Sequence, residues 1–140
     1  MSENIETILI ERDIHPTSMR ILILKSMLGF SHAFSLMDLE AKLETVDKST
    51  ISRTINLFRE KLLIHSIDDG SGSIKYAVCH HHCDCEISDL HVHFYCFHCH
   101  KTFCLEEVSI PQIKIPSGLI PKNINFVIKG FCDDCASYAT

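Results

Sequence analysis

The sequence has no tryptophan, only five glycines and four prolines, and no apolar run longer than the four residues of Ile21–Leu24. A membrane-spanning helix needs about 20 consecutive apolar residues, so a transmembrane protein is excluded. Hydrophobic residues make up 46% and charged residues 22% of the chain, which is typical of a folded domain and argues against disorder as the main state. The 140 residues therefore predict one domain or two small ones.

The N-terminus also lacks the basic end and long apolar core of a secretory signal, since it reads MSENIETILIERD. We therefore expect a cytoplasmic protein with no membrane partner. Thiols stay reduced in that compartment, so clustered cysteines indicate metal binding rather than disulfides.

Cysteine is absent from residues 1–78, whereas residues 79–140 hold all eight cysteines and seven of the ten histidines. This contrast predicts two modules with different roles. We place a first domain at residues 1–78, a Cys/His-rich hinge at 79–90 and a metal-binding domain at 91–140.

Hydrophobic spacing predicts four helices in the first domain, followed by a hairpin with strands at residues 62–68 and 73–78. Ser35 and Asp38 form a capping-box pattern at the start of the third helix. The apolar face of the fourth helix consists of Ile51, Ile55, Phe58 and Leu62. The second to fourth helices and the hairpin predict a winged helix-turn-helix.

The second half favours strands over residues 91–96, 102–106 and 125–131. The predicted fold class is therefore α+β, with an N-terminal winged helix-turn-helix domain and a small α/β zinc-containing domain.

The exposed face of the fourth helix is the candidate nucleic-acid reader. Residues 48–61 carry four basic side chains and one acid, although the whole chain has a net charge of −5. Small hydroxyls beside an arginine can approach a groove, bind phosphates and let the arginine reach a base. The predicted DNA-binding residues are Lys48, Ser49, Thr50, Ser52 and Arg53, with Lys75 as a phosphate contact on the wing. An ordinary solvated helix face is the alternative.

Two C-x-x-C pairs, Cys96–Cys99 and Cys132–Cys135, are separated by 32 residues. Each pair can bind one side of an ion, and four thiolates make a closed tetrahedral zinc site with a structural role. A redox pair or ordinary buried cysteines are the alternatives.

A second, regulatory metal site is predicted near the hinge. His91 and His93 alternate onto one face of a predicted strand, and Cys104 and Glu106 share a face of the next. The candidate ligands are His91, His93, Cys85, Cys104 and Glu106. Thiol ligands favour Zn²⁺ over Fe²⁺ because the thiolate is soft. Alternatively, the two histidines are surface residues of the strand.

Several short motifs occur in a defined order along nearly the whole chain. They are Thr17-Ser-Met-Arg20, Ser35-Leu-Met-Asp-Leu39, Thr50-Ile-Ser-Arg53, Leu57-Phe58, Lys75-Tyr76, His91-Val-His93-Phe-Tyr-Cys96 with Cys99, and Gly130-Phe-Cys132 with Cys135. In this order they resemble the ferric uptake regulator family. Ser52 stands where the family usually has tyrosine, and Cys104 stands where it usually has a carboxylate.

The resemblance implies a metal-dependent repressor that controls metal homeostasis and binds a pseudo-palindromic operator in double-stranded DNA as a homodimer. It assigns residues 91–140 to dimerisation, the four C-x-x-C cysteines to structural zinc, and His91 and His93 to the regulatory site. The protein is then not an enzyme. A peroxide- or redox-sensing regulator of the same family is the first alternative. A zinc enzyme and a metal buffer are further alternatives.

Overall fold

The computed structural model describes residues 4–78, 92–105, 107–108, 110–121 and 124–139. Three candidate ligands of the second metal site, Cys85, His91 and Glu106, therefore lie outside the described residues. The helices are α1 (Ile5–Glu11), α2 (Ser18–Leu28), α3 (Leu36–Lys42) and α4 (Lys48–Glu60). The strands are β1 (Phe34–Ser35), β2 (Ile64–Ile67), β3 (Lys75–Val78), β4 (Val92–Cys96), β5 (Thr102–Leu105) and β6 (Val127–Gly130), and a 3-10 helix spans Asp133–Tyr138.

The N-terminal half is the predicted winged helix-turn-helix. Its four helices surround a single apolar core, and β1, β3 and β2 form an antiparallel sheet beside them in that order. The two-residue strand β1 was not predicted; it pairs Phe34 with Tyr76 of β3. The largest fully buried side chains of this half are Phe34, Phe58, Leu9, Ile23, Leu24, Met27, Leu39, Ile51, Leu63, Ile64 and Ile67.

Helix boundaries follow the capping chemistry of the sequence. The Thr17 hydroxyl accepts from the Arg20 N–H at the start of α2, and Ser35 and Asp38 form the predicted capping box of α3. The prediction that Leu62 continues the apolar face of α4 is wrong. The helix ends at Glu60, Leu62 takes a φ of 60° and is 45% exposed, and Leu63 enters the core instead.

The C-terminal half is built on a three-stranded sheet with the order β5-β4-β6. The central strand β4 pairs with β5 antiparallel and with β6 parallel. The predicted strands are thus present, and the α+β class is confirmed. Among the residues that the structure describes, no helix has the length and apolarity to cross a membrane.

A buried polar cluster joins the two halves at the wing. The Asp69 carboxylate accepts hydrogen bonds from the Thr102 hydroxyl of β5 (2.6 Å) and the Lys75 ammonium of β3 (3.4 Å). The Thr102 carbonyl also accepts a hydrogen bond from the N–H of Ala33, the residue before β1 (2.9 Å). Lys75 was predicted as a phosphate contact, but its side chain is only 11% exposed and is paired with Asp69, so it faces inward.

The same contacts determine the ionisation of Asp69. Burial raises the pKa of this carboxyl, but hydrogen bonds from Ser71 and Thr102 and the charge of Lys75 outweigh burial and hold the pKa below its ordinary value of 3.8. The charged form therefore stabilises the folded protein above the ordinary pKa of the unfolded chain. That contribution is lost as the pH falls through the lowered, folded-state pKa.

We predict that Asp69→Ala lowers the free energy of unfolding by about 3 kcal/mol at neutral pH, because it leaves the Lys75 ammonium buried without its counter-ion. Denaturant unfolding measures this change. The matched control is Asp68→Ala, which removes an exposed carboxylate next to it and should cost less than about 1 kcal/mol. Equal losses in the two variants would contradict the role given to the buried cluster.

Candidate metal centre and DNA-binding surface

The two C-x-x-C pairs lie at the same edge of the second sheet. Cys96 is the last residue of β4, and Cys132 follows β6 by two residues. Because these strands are parallel neighbours with Cys96 in register with Gly130, their carboxyl ends coincide. The turn after β4 then presents Cys99, and the 3-10 helix presents Cys135.

The four sulfur atoms are close enough to one another to bind a single metal ion. All four lie within 4.8 Å of one another, and the Cys99 and Cys132 sulfurs are 3.8 Å apart. Zinc–sulfur bonds of about 2.3 Å at the tetrahedral angle place sulfurs about 3.8 Å apart. Cys96, Cys132 and Cys135 are buried and Cys99 is half-buried, so the site is largely closed to solvent, which suits a structural ion.

The environment of the thiols differs from one residue to the next. Burial raises the pKa of Cys96, but N–H groups of Cys132, Cys99 and His98 point at its sulfur and lower the pKa to about 6. Burial and the neighbouring thiols raise the pKa of Cys135 to about 12 and also raise that of Cys132. A divalent cation is needed to hold all four as thiolates, and its binding releases protons.

The residues around the four cysteines pack without joining the cluster. The His98 ring stacks on Tyr138 with centroids 3.6 Å apart, and His100 Nδ1 lies 2.8 Å from the Tyr95 hydroxyl. Gly130 provides close packing, since a Cβ there would lie 3.3 Å from the Phe94 ring. His98 and His100 are therefore structural neighbours of the site.

The second predicted site is described in part. His93 of β4 and Cys104 of β5 are directly paired across the two strands, so both side chains lie on one face of the sheet. Cys104 also lines a cavity of about 340 Å³ between the two halves, together with His32 and His65. Among the described residues, the four C-x-x-C cysteines are the only assembled group of three or more metal-ligand side chains.

The predicted DNA-binding residues lie together on α4. Lys48, Ser49, Ser52 and Arg53 are exposed and Thr50 is half-buried, while Ile51, Ile55 and Phe58 face the core. The exposed residues therefore form a continuous polar surface over the first turns of the helix. Asp47 caps the helix with its backbone only, because its carboxylate accepts from the Ser49 hydroxyl instead.

Arg20 extends this surface beyond α4 and was missed as a candidate. It lines a shallow cavity of about 270 Å³ together with Thr17, Thr50 and Arg53. Its guanidinium donates to the His15 carbonyl (2.8 Å), which holds the side chain over the start of α2. The signal in the sequence was the Thr17-Ser-Met-Arg20 motif, but only the fold brings Arg20 beside Arg53.

Solved structures with this architecture include ferric and zinc uptake regulators. The ferric uptake regulator of Vibrio cholerae is 16% identical with a TM-score of 0.61, and the match covers 92% of this chain and 100% of that one. The ferric uptake regulator of Helicobacter pylori, which has three functional metal-binding sites, is 13% identical with a TM-score of 0.60. That match covers 97% of this chain and 97% of the other. A zinc uptake regulator solved with zinc and DNA is 19% identical with a TM-score of 0.65. That match covers 95% of this chain and 91% of the other.

This chain has the ferric uptake regulator fold. No protein-family model and no curated protein sequence matches the chain significantly. The resemblance drawn from the motifs is thus confirmed at the level of the fold. The cluster of four cysteines in this fold is suited to a structural zinc ion.

We predict that the protein, purified without added metal, carries one zinc ion per chain that mild chelation does not remove. Cys132→Ser should lose this ion and unfold at a lower temperature, because the buried sulfurs that remain cannot close the tetrahedron. Zinc content and thermal unfolding measure the effect. Cys104→Ser is the control outside the cluster. Full retention of the chelation-resistant zinc by Cys132→Ser would contradict the assignment.

Proposed function

We propose that this chain is a metal-dependent transcriptional repressor that binds double-stranded DNA as a homodimer, and that it is not an enzyme. The observation that carries this proposal is the exposed basic and hydroxyl-bearing face of α4 in a fold that it shares with a zinc uptake regulator bound to DNA. The proposed boundaries are a DNA-binding domain at 1–78, a hinge at 79–90 and a dimerisation domain at 91–140.

DNA recognition is assigned to Lys48, Ser49, Thr50, Ser52 and Arg53. Lys48 and the hydroxyls reach phosphate oxygens, and Arg53 has the planar guanidinium that can bind a guanine edge with two N–H groups. Arg20 adds a positive charge beside Arg53. Serine at position 52 is short, so the backbone of α4 can approach the groove closely.

The C-terminal half supplies a surface for a second copy of the chain. The segment 110–121 leaves large aliphatic side chains in solvent, and Ile120 is 79% exposed. The exposed large aliphatic residues of this segment are Ile113, Ile115, Leu119 and Ile120. Burying such side chains against an identical segment is favourable, and a two-fold dimer presents two α4 helices to a pseudo-palindromic operator.

Regulation is assigned to a second ion near the hinge. His93 and Cys104 provide two ligands on one sheet face, and His91, Cys85 and Glu106 remain the other proposed ligands. Zn²⁺ is favoured over Fe²⁺ because Cys104 is a soft ligand. An ion that binds both halves favours one arrangement of the DNA-binding domain, and differential affinity of about 5.5 kcal/mol moves a 1:99 equilibrium to 99:1.

A zinc enzyme receives no support from the four-cysteine cluster. Hydrolytic zinc needs an open coordination position, whereas four thiolates close the site. A redox-sensing regulator stays the second candidate, because the Cys104 thiol lies on the wall of the cavity between the two halves, where an oxidant can enter.

We predict that Arg53→Ala abolishes specific DNA binding while leaving the chelation-resistant zinc in place. The probe is a duplex enriched by the wild-type protein from a pool of random double-stranded oligonucleotides. Arg59→Ala is the matched control, since it removes the same charge from an exposed position in the last turn of α4. A loss of the same size in both variants would mean that α4 contributes only general charge.

We also predict that mild chelation of the wild-type protein weakens binding to the enriched duplex by more than tenfold, and that added Zn²⁺ restores it. The reason is that the second ion is more accessible than the closed four-cysteine site. Gel shifts with parallel metal analysis measure both quantities. DNA binding that is independent of the second ion would overturn the regulatory part of the proposal and leave a constitutive DNA-binding protein.

A further inference from the structure

The exposed face of α4 continues beyond the residues already assigned to DNA. Asn56 is exposed, and it follows Arg53 by three residues on the same helix. At 3.6 residues per turn, each of these two side chains lies about 150° around the helix axis from the centre of the buried face, one on either side of the outward direction. The buried face consists of Ile51, Thr54, Ile55 and Phe58. Asn56 therefore points away from the core as directly as Arg53 does.

The spacing of Arg53 and Asn56 along the helix is close to the spacing of base pairs. Three residues advance the helix by about 4.5 Å, whereas successive base pairs are about 3.4 Å apart. The Arg53 guanidinium donates to the Thr50 hydroxyl (3.4 Å), so it leans toward the start of α4. When α4 lies along a major groove, Arg53 and Asn56 then face different base pairs that are one or two steps apart.

The carboxamide of Asn56 has the chemistry that recognises adenine. Its Oδ1 accepts a hydrogen bond from the adenine amino group while its Nδ2 donates to adenine N7. The serine hydroxyls on the same face have one oxygen each and bind phosphates or any base. A carboxamide carries no charge, so phosphates do not draw it away from the base edges.

The elements that flank this face supply no competing base reader. Lys75 is the only lysine or arginine among residues 64–78, and its side chain is 11% exposed and paired with the buried Asp69. Asp68 of the wing turn and Glu60 at the end of α4 are both exposed, and their charges repel phosphates. Base readout therefore falls to the part of α4 that precedes Glu60, and Asn56 is the last neutral polar side chain on it.

Given the DNA binding proposed for this chain, we infer that Asn56 is a second base-reading residue beside Arg53. Each half-site of the operator then contains a guanine, read by Arg53, and an adenine, read by Asn56, within two base pairs of each other. This assignment gives the short polar face of α4 two bidentate contacts, each of which discriminates among bases. The alternative is that Asn56 is only a solvated surface residue.

The test uses the full-length, zinc-loaded protein and selection from a pool of random duplexes by wild type and by Asn56→Ala. We expect wild type to select half-sites with both bases, and Asn56→Ala to keep the guanine and lose the preference for adenine. On the wild-type duplex the variant should bind about tenfold more weakly. Replacing the adenine should weaken wild-type binding by a similar factor and leave the variant unaffected. The salt dependence should not change, because no charge is removed.

The matched control is Glu60→Gln, which changes an exposed side chain one turn further along α4. It removes a negative charge, so it should strengthen binding to every duplex by a similar factor and leave the selected sequence unchanged. Alanine has the highest helix propensity, so Asn56→Ala should keep α4 intact, and retention of the chelation-resistant zinc checks the fold of the variant.

Each outcome separates this inference from the function on which it rests. If wild type selects no sequence, the proposed specific DNA binding itself fails. If Asn56→Ala selects the same half-site with the same affinity, Asn56 is not a reader, although the DNA-binding function stands. A uniform loss of affinity with the adenine preference kept would also overturn the inference, since it would make Asn56 a contact to the DNA backbone.

Discussion

The parallel pairing of β4 with β6 is the constraint on which the C-terminal half depends. It places the ends of both strands at one edge, so that four sulfurs meet within 4.8 Å. The buried core of this half contains Cys96, Cys132 and Cys135 themselves. Four partly buried side chains pack against these cysteines, namely Phe94, Cys99, Phe103 and Phe131. So small an apolar cluster contributes little stability by itself, and a cation bound by the four cysteines would couple metal binding to the folding of this half.

The two halves are coupled at the first residue of β5. Thr102 accepts from the Ala33 N–H through its carbonyl and donates to Asp69 through its hydroxyl, so it bonds to two separate segments of the N-terminal half. The carboxylate of Asp69 is fully buried and paired with Lys75, which gives this contact a defined geometry. The same docking brings β2 next to β4, and it is the reason that His65 and His93 become neighbours.

Sequence reasoning succeeded where the chemistry is local. The capping box of Ser35 and Asp38 begins α3 as predicted, and the apolar spacing of Ile51, Ile55 and Phe58 identifies the buried face of α4. It failed where a backbone turn or a buried partner overrides the pattern. Leu62 continues the helical period, but a left-handed residue ends the helix and turns Leu63 inward instead. Lys75 carries the charge expected of a phosphate contact, yet a buried acid six residues away pairs with it.

The sequence by itself determined the fold class, the exposed face of α4 and the identity of the four clustered cysteines, because helical period, capping and C-x-x-C spacing act over a few residues. Only the tertiary structure decided which strands are neighbours, and therefore that Arg20 lies beside Arg53 and His65 beside His93. Those pairs join segments more than 25 residues apart in the chain. Their proximity follows from the packing of helices and the order of strands, which no local pattern encodes.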